Sequence, residues 1–383
     1  MIRMFFAGTS VRPNEWDFLK DAKPIYEDHK NMLITKYNDS VSYYFPGSLS
    51  KIRLDQGTYS IKNNFERGVK ILSADINKAL KENPSKEILV EIGGHSRGGV
   101  AATKVAEKIR KDFKNHKNVK INLISLDPVP SPDSYRGSKE VNLTEGETNK
   151  SLVIYSMDSH RMFYTPLQLH KSDVVIISTK DHDGVYGRRY LVKKGDVSDV
   201  YHYYYEGKTC TLSEALNLKK GVYLSDDDSI MVELTGSNLK ECISKIYQKC
   251  KDSKRQRILI DSIIEKSNFR LDDMLEANPD YKESFENKLN KIGKKLMLKR
   301  MFKSTLAMFG SGNKFSVLLN REGLYEPILE AKKAIIDDKK TNPIKAYSIL
   351  KETKKNKHLG KYSNKLLDLV MKKINDRYNL EKA

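Results

Sequence analysis

At 383 residues the chain exceeds the size at which a single hydrophobic core usually stops growing, which predicts one large domain with an appendage. Hydrophobic residues make up 39% and charged residues 31%, with 21 Tyr and 12 Phe, which excludes the aromatic-poor profile of a disordered chain. The formal charge of +19 is uneven: residues 251–383 carry 31 Lys and Arg against 18 Asp and Glu, whereas 1–250 carry 38 against 32.

In chain order, Met4-Phe5-Phe6 reads as a short buried strand ended by Gly8-Thr9-Ser10, and Val41 to Phe45 as another stopped at Pro46-Gly47. Phe65, Val69, Leu72, Ile76 and Leu80 recur at helical spacing, predicting a helix over about 64–80. Ile88 to Ile92 predicts a strand, followed by glycine-rich turn residues and a helix over about 99–113. Further strands are expected at Ile121 to Leu126, Leu152 to Met157 and Val174 to Ser178, with a last one at Met231 to Leu234. Short apolar strands alternating with helices predict an α/β protein with a mostly parallel sheet covered by helices on both faces. In such sheets ligands bind beyond the carboxyl ends of the strands, so the residues just after each strand are the candidates for chemistry. From Leu239 onward helical spacing and Lys dominate. The expected division is an α/β domain over 1–225 and a basic, mainly helical region over 226–383.

Gly94-His95-Ser96-Arg97-Gly98 fits the G-x-S-x-G nucleophile elbow, in which a serine sits at a sharp strand-to-helix turn. The apolar run before it and the small residues Gly98, Gly99, Ala101 and Ala102 after it are the context such a turn requires. A serine nucleophile needs a base, and the base an orienting carboxylate, in the chain order Ser, acid, His. Asp127 directly follows a strand, with Pro128 ending it, and is the candidate acid; Asp158 is the alternative. His160, His170 and His182 lie downstream as candidate bases, and His182 is preferred because it sits in a polar, Gly-bearing loop after a strand. His95 is expected to pack beside the nucleophile. The oxyanion hole falls to the backbone N–H of Arg97 with a second donor at Gly8 or Thr9, each worth about 3–4 kcal/mol in the transition state.

Five segments together resemble the bacterial α/β-hydrolases that include phospholipase effectors delivered by type VI secretion. They are Phe6-Ala7-Gly8-Thr9, Gly94 to Gly99 with its Ser-Arg-Gly, Leu126-Asp127-Pro128-Val129, Met157 to Phe163, and His182-Asp183-Gly184-Val185-Tyr186. The resemblance covers roughly residues 4–190 and implies Ser96, Asp127 and His182 as the triad, with acyl-ester or phospholipid hydrolysis as the activity. Ala7 stands where the family usually has aspartate, and the histidine segment is shortened. A hydrolase-shaped binding module without activity, and a soluble hydrolase of small esters or amides, are therefore alternative expectations. No metal or organic cofactor is expected.

Cys210, Cys242 and Cys250 are too few and too irregularly spaced for a disulfide framework or a zinc site. Met1 to Phe6 is too short for a signal-peptide core, and no apolar run reaches the ~20 residues that span a bilayer. The expectation is a soluble protein made in the cytoplasm, with export as a bacterial effector compatible with that. Between Lys288 and Lys303 seven basic residues and no acidic one interleave with apolar residues. A basic amphipathic helix running on through Phe309 could lie on an anionic membrane, or could be a packed helix whose lysines reach water. Nucleic acid is not expected, because no binding motif accompanies the charge. A protein partner through the C-terminal helices is compatible with the same composition.

Overall fold

The computed structural model describes residues 1–8, 33–37, 40–47, 61–130, 140–143, 149–157, 165–178, 190–192, 195–197, 221–225, 232–310, 313–337 and 341–380. They form two compact units: 1–234 with 245–266, and 235–244 with 267–383.

The first unit is an α/β structure built on a nine-stranded sheet. Its strands are β1 (Ile2–Phe6), β2 (Leu33–Tyr37), β3 (Ser40–Phe45), β4 (Ile88–His95), β5 (Val119–Leu126), β7 (Asn149–Ser156), β9 (Asp173–Ile177), β12 (Val222–Ser225) and β13 (Val232–Glu233). Two small ladders stand apart, β6 (Glu140–Asn142) with β8 (Gln168–His170), and β10 (Tyr190–Val192) with β11 (Gly195–Val197). The large sheet runs β2-β3-β1-β4-β5-β7-β9-β12-β13. Its seven inner strands are parallel, and only the edge strands β2 and β13 run antiparallel to their neighbours. Every residue of β1 is buried, as are six consecutive residues at the end of both β4 and β5, so both faces of the sheet are covered.

From β1 the chain moves one way to β3 and then returns to the other side for β4, β5, β7, β9 and β12. The order therefore reverses between β1 and β4, and in open α/β sheets such a reversal is where ligands bind, beyond the carboxyl ends of the strands.

Two helices pack on β1, β4 and β5: α1 (Ile61–Glu82) and α2 (Arg97–Asp112). Helix α1 buries Ile61, Asn64, Gly68, Leu72 and Ile76, one stripe at the helical repeat. The buried Arg110 of α2 donates to the carbonyls of Ile121 at 3.1 Å and Lys150 at 2.5 Å and to the Ser151 hydroxyl at 3.0 Å, fastening α2 to β5 and β7.

Helices α3 (Gly236–Lys249) and α4 (Ser253–Lys266) follow. Residues 245–266 belong with the sheet, although the change of composition near residue 226 assigns them to the helical region. Polar ties make the difference. Thr165 Oγ1 donates to Asp252 at 2.8 Å, and His170 Nδ1 lies 2.6 Å from Glu265. Arg255 of α4 is bonded to Asp127, the residue after β5. Ten residues separate Arg255 from Glu265, a helical rise of about 15 Å, which matches a five-residue strand. Helix α4 thus runs antiparallel to β9, with Arg255 at the carboxyl edge of the sheet and Glu265 near the amino edge.

The second unit is helical: α5 (Leu271–Ala277), α6 (Pro279–Gly293), α7 (Leu298–Leu306), α8 (Ser316–Arg321), α9 (Tyr325–Lys332) with a π-helical turn at Lys333–Asp337, α10 (Pro343–Asn356) and α11 (Lys361–Tyr378). Asn278 and Asn342 cap α6 and α10, each followed by proline at the first helical position. The core centres on Phe285, packed edge-to-face on Phe315 and Tyr362. Residues 288–309 do not form one helix. Gly293 ends α6, residues 294–297 turn, and α7 begins at Leu298. Leu289, Ile292, Met301, Phe302, Met308 and Phe309 are buried in this unit's own core.

Among the described residues no helix is long and apolar enough to cross a membrane. Cys242 and Cys250 are buried, and Cys210 lies outside the described residues.

Burial pushes the Glu265 carboxyl up, but hydrogen bonds from His170 and the Lys171 N–H outweigh it and leave its pKa below the usual 4.5. A depressed carboxylate stabilises the fold above its unfolded pKa and loses that contribution as pH falls through the folded value. Urea unfolding should therefore show Glu265→Gln less stable than wild type at neutral pH, with the gap closing as pH drops below 4.5.

Candidate active site

Ser96 follows β4 directly and precedes the first residue of α2. Its backbone has φ 55° and ψ −124°, a conformation that costs an L-residue about 1–3 kcal/mol. The turn is held on both sides. Ser96 N–H donates to the Leu126 carbonyl at 2.9 Å, and the Ser96 carbonyl accepts from Val100 and Val129 N–H, each at 3.2 Å. Its side chain is not spent on capping α2, and the residue is 5% exposed.

Glycine is required here by close approach. A Cβ on Gly94 would lie 2.3 Å from the Gly98 carbonyl oxygen, and one on Gly98 would lie 2.2 Å from the Phe6 carbonyl oxygen. Strand β4, helix α2 and the end of β1 therefore touch through bare backbone. Gly8 abuts the His95 ring: a Cβ there would be 2.6 Å from Nδ1. His95 is buried, and it precedes Ser96 in the chain. The Arg97 N–H sits at the first position of α2, the positive end of the helix dipole.

Asp127 stands at the end of β5, next to β4, and is fully buried. Its φ of 39° is also left-handed, so two of the four non-glycine residues with positive φ among the described residues lie at adjacent strand ends. Asp127 Oδ1 accepts from Arg255 Nη1 at 2.7 Å and from Ser156 N–H at 3.3 Å. Arg255 Nη1 also donates to the Ser156 carbonyl at 2.8 Å. Burial holds the neighbouring Tyr155 phenol far above its ordinary pKa, against the pull of the Leu169 N–H and with the Asp127 charge adding to the rise. Tyr155 stays neutral, donating to Leu167 and accepting from Leu169, which straps residues 167–169 to β7. At the end of β9, Lys249 Nζ donates to Ser178 Oγ.

Ser96, Arg97, Gly8 and Asp127 are thus gathered at one edge of the sheet, beside the reversal between β1 and β4. His182, Asp158, His160 and Thr9 lie outside the described residues. His170 is not at this edge. It ends β8 just before β9 begins, bonded to Glu265 at the opposite end of the strands. Sequence reasoning missed Arg255. The available signal was its place four, eight and nine residues before Leu259, Ile263 and Ile264, on the face of α4 that is buried. Among the described residues no group of three or more His, Cys, Asp or Glu is placed to hold a metal.

No family model matches the chain, and no curated protein sequence matches it.

Removing one partner of a buried ion pair strands the other charge, at a cost of about 3–5 kcal/mol. Arg255→Met should lower unfolding stability by that amount in urea titrations. Adding Asp127→Asn to it should recover part of the loss, a non-additivity that independent sites would not give.

Proposed function

We propose that the protein is a serine hydrolase of the α/β-hydrolase class that cleaves acyl esters through an acyl-enzyme. The observation that carries this reading is the backbone of Ser96: a strained φ and ψ at a tight strand-to-helix turn, at the point where the strand order reverses. Evolutionarily costly strain of this kind is kept where it serves a site, and here it presents a hydroxyl at the positive end of a helix.

In this mechanism the Ser96 oxygen attacks the acyl carbonyl carbon while His182 takes the hydroxyl proton. The N–H of Arg97, with a second from Gly8 or Thr9, holds the developing oxyanion. His182 then returns the proton to the departing alkoxide as the carbonyl–oxygen bond breaks. Water, deprotonated by the same imidazole, releases the acid and restores Ser96. Asp127 orients the imidazole, its carboxylate fixed in turn by Arg255 and the Ser156 N–H. Asp158, two residues past the end of β7, is the alternative acid, favoured by the fact that Arg255 already engages Asp127. The substrate class that fits the family resemblance is a membrane phospholipid or related lipid ester, and a small soluble ester is the alternative.

Fluorophosphonate labelling of the purified protein, with mass-spectrometric mapping, tests the proposal. An adduct on Ser96 in the wild type and none in Ser96→Ala is expected, with ester hydrolysis falling by about 10³-fold or more in the variant. Absence of an adduct on folded wild type would move the assignment to an inert, hydrolase-shaped binding module.

A further inference from the structure

The turn between α6 and α7 holds two large apolar side chains in water: Leu296 is 98% exposed and Met297 is 56% exposed. They are the only adjacent pair of exposed large hydrophobic residues among those described. They are not overflow from the core, because the surrounding apolar residues Ile292, Met301 and Phe302 are buried in the same unit. Around the pair, Lys291, Lys294, Lys295, Lys299, Arg300 and Lys303 are all exposed, and no acidic residue interrupts the run. None of the six has an ion-pair partner among the described residues.

We propose that residues 291–303 form a wedge that docks on an anionic lipid bilayer. The ammonium and guanidinium groups engage lipid phosphates, and Leu296 and Met297 enter the boundary between headgroups and acyl chains. An exposed apolar pair with exposed cations before and after it along the chain matches the layering of such a surface, charged outside and apolar a few ångströms in. The same features argue against a nucleic acid. Five of the six cations are lysines, and Phe302, the one aromatic side chain in the stretch, is buried and cannot stack on bases. The docking does not depend on the hydrolase reading, and it assigns the C-terminal charge excess a specific place of action.

Vesicle flotation with the full-length protein tests it, using phosphatidylcholine alone and phosphatidylcholine mixed equally with phosphatidylglycerol. Wild type is expected to float with the anionic vesicles only, and less so as salt is raised. Leu296→Ser/Met297→Ser and Lys295→Glu/Lys299→Glu should each reduce bound protein by about tenfold or more, with thermal unfolding unchanged because all four side chains are exposed. Ser96→Ala should float like wild type, so a failure of the hydrolase proposal leaves this readout intact. Wild type that stays with the unbound fraction would overturn the wedge. So would either double variant that floats undiminished; if the apolar one did, the surface would be a general polyanion site for nucleic acid or acidic protein.

Discussion

The contact on which the rest of the sheet unit depends is backbone against backbone, where the end of β4 and the start of α2 meet each other and the end of β1. At 2.2–2.4 Å from neighbouring carbonyl atoms there is no room for a single methyl group on Gly94 or Gly98. Because the helix can press against the strand ends, the chain turns sharply at Ser96 without leaving the sheet. The cost is a disfavoured φ and ψ, and the bonds from Ser96 N–H to the Leu126 carbonyl and from Val100 and Val129 N–H to the Ser96 carbonyl keep the turn in that state. Strain at one residue is thus maintained by backbone hydrogen bonds to the chain on either side of the turn.

A second constraint operates one strand further on. Asp127 is a buried carboxylate at a left-handed backbone position, and an ion in that setting is stable only if its charge is met. Arg255 meets it from far along the chain, tying α4 to the edge of the sheet where Ser96 lies. The opposite end of α4 is tied by Glu265 to His170 and the Lys171 N–H. Two polar clamps about one strand length apart therefore fix both the position and the direction of α4, which apolar packing alone would leave free to slide.

The helical unit solves a different problem. Its basic composition suits a solvated surface, but Phe285, Phe315, Tyr362 and the Leu and Ile of α11 give it a core of its own. The segment richest in lysine is accordingly split, its apolar residues drawn inward from α6 and α7 and only the intervening turn left with large apolar side chains exposed to water.

The period of the apolar residues was enough to place β1, β3, β4, β5, β7, β9, α1 and α2, since buried strands and amphipathic helices record their environment locally. The strand-to-helix turn at Ser96 was legible for the same reason: a serine among glycines after a strand is a local pattern. The sheet order was not, nor were the edge strand β2 and the short inner strand β12, which becomes a strand only by pairing with β9, remote in sequence. The break between α6 and α7 also escaped, because helical spacing continues across Gly293 while the packing of Met301 and Phe302 does not. Least legible was Arg255, one cation among many in a Lys-rich stretch. Its meaning depends on a carboxylate 128 residues away, and only the tertiary structure, by burying both, makes their pairing obligatory.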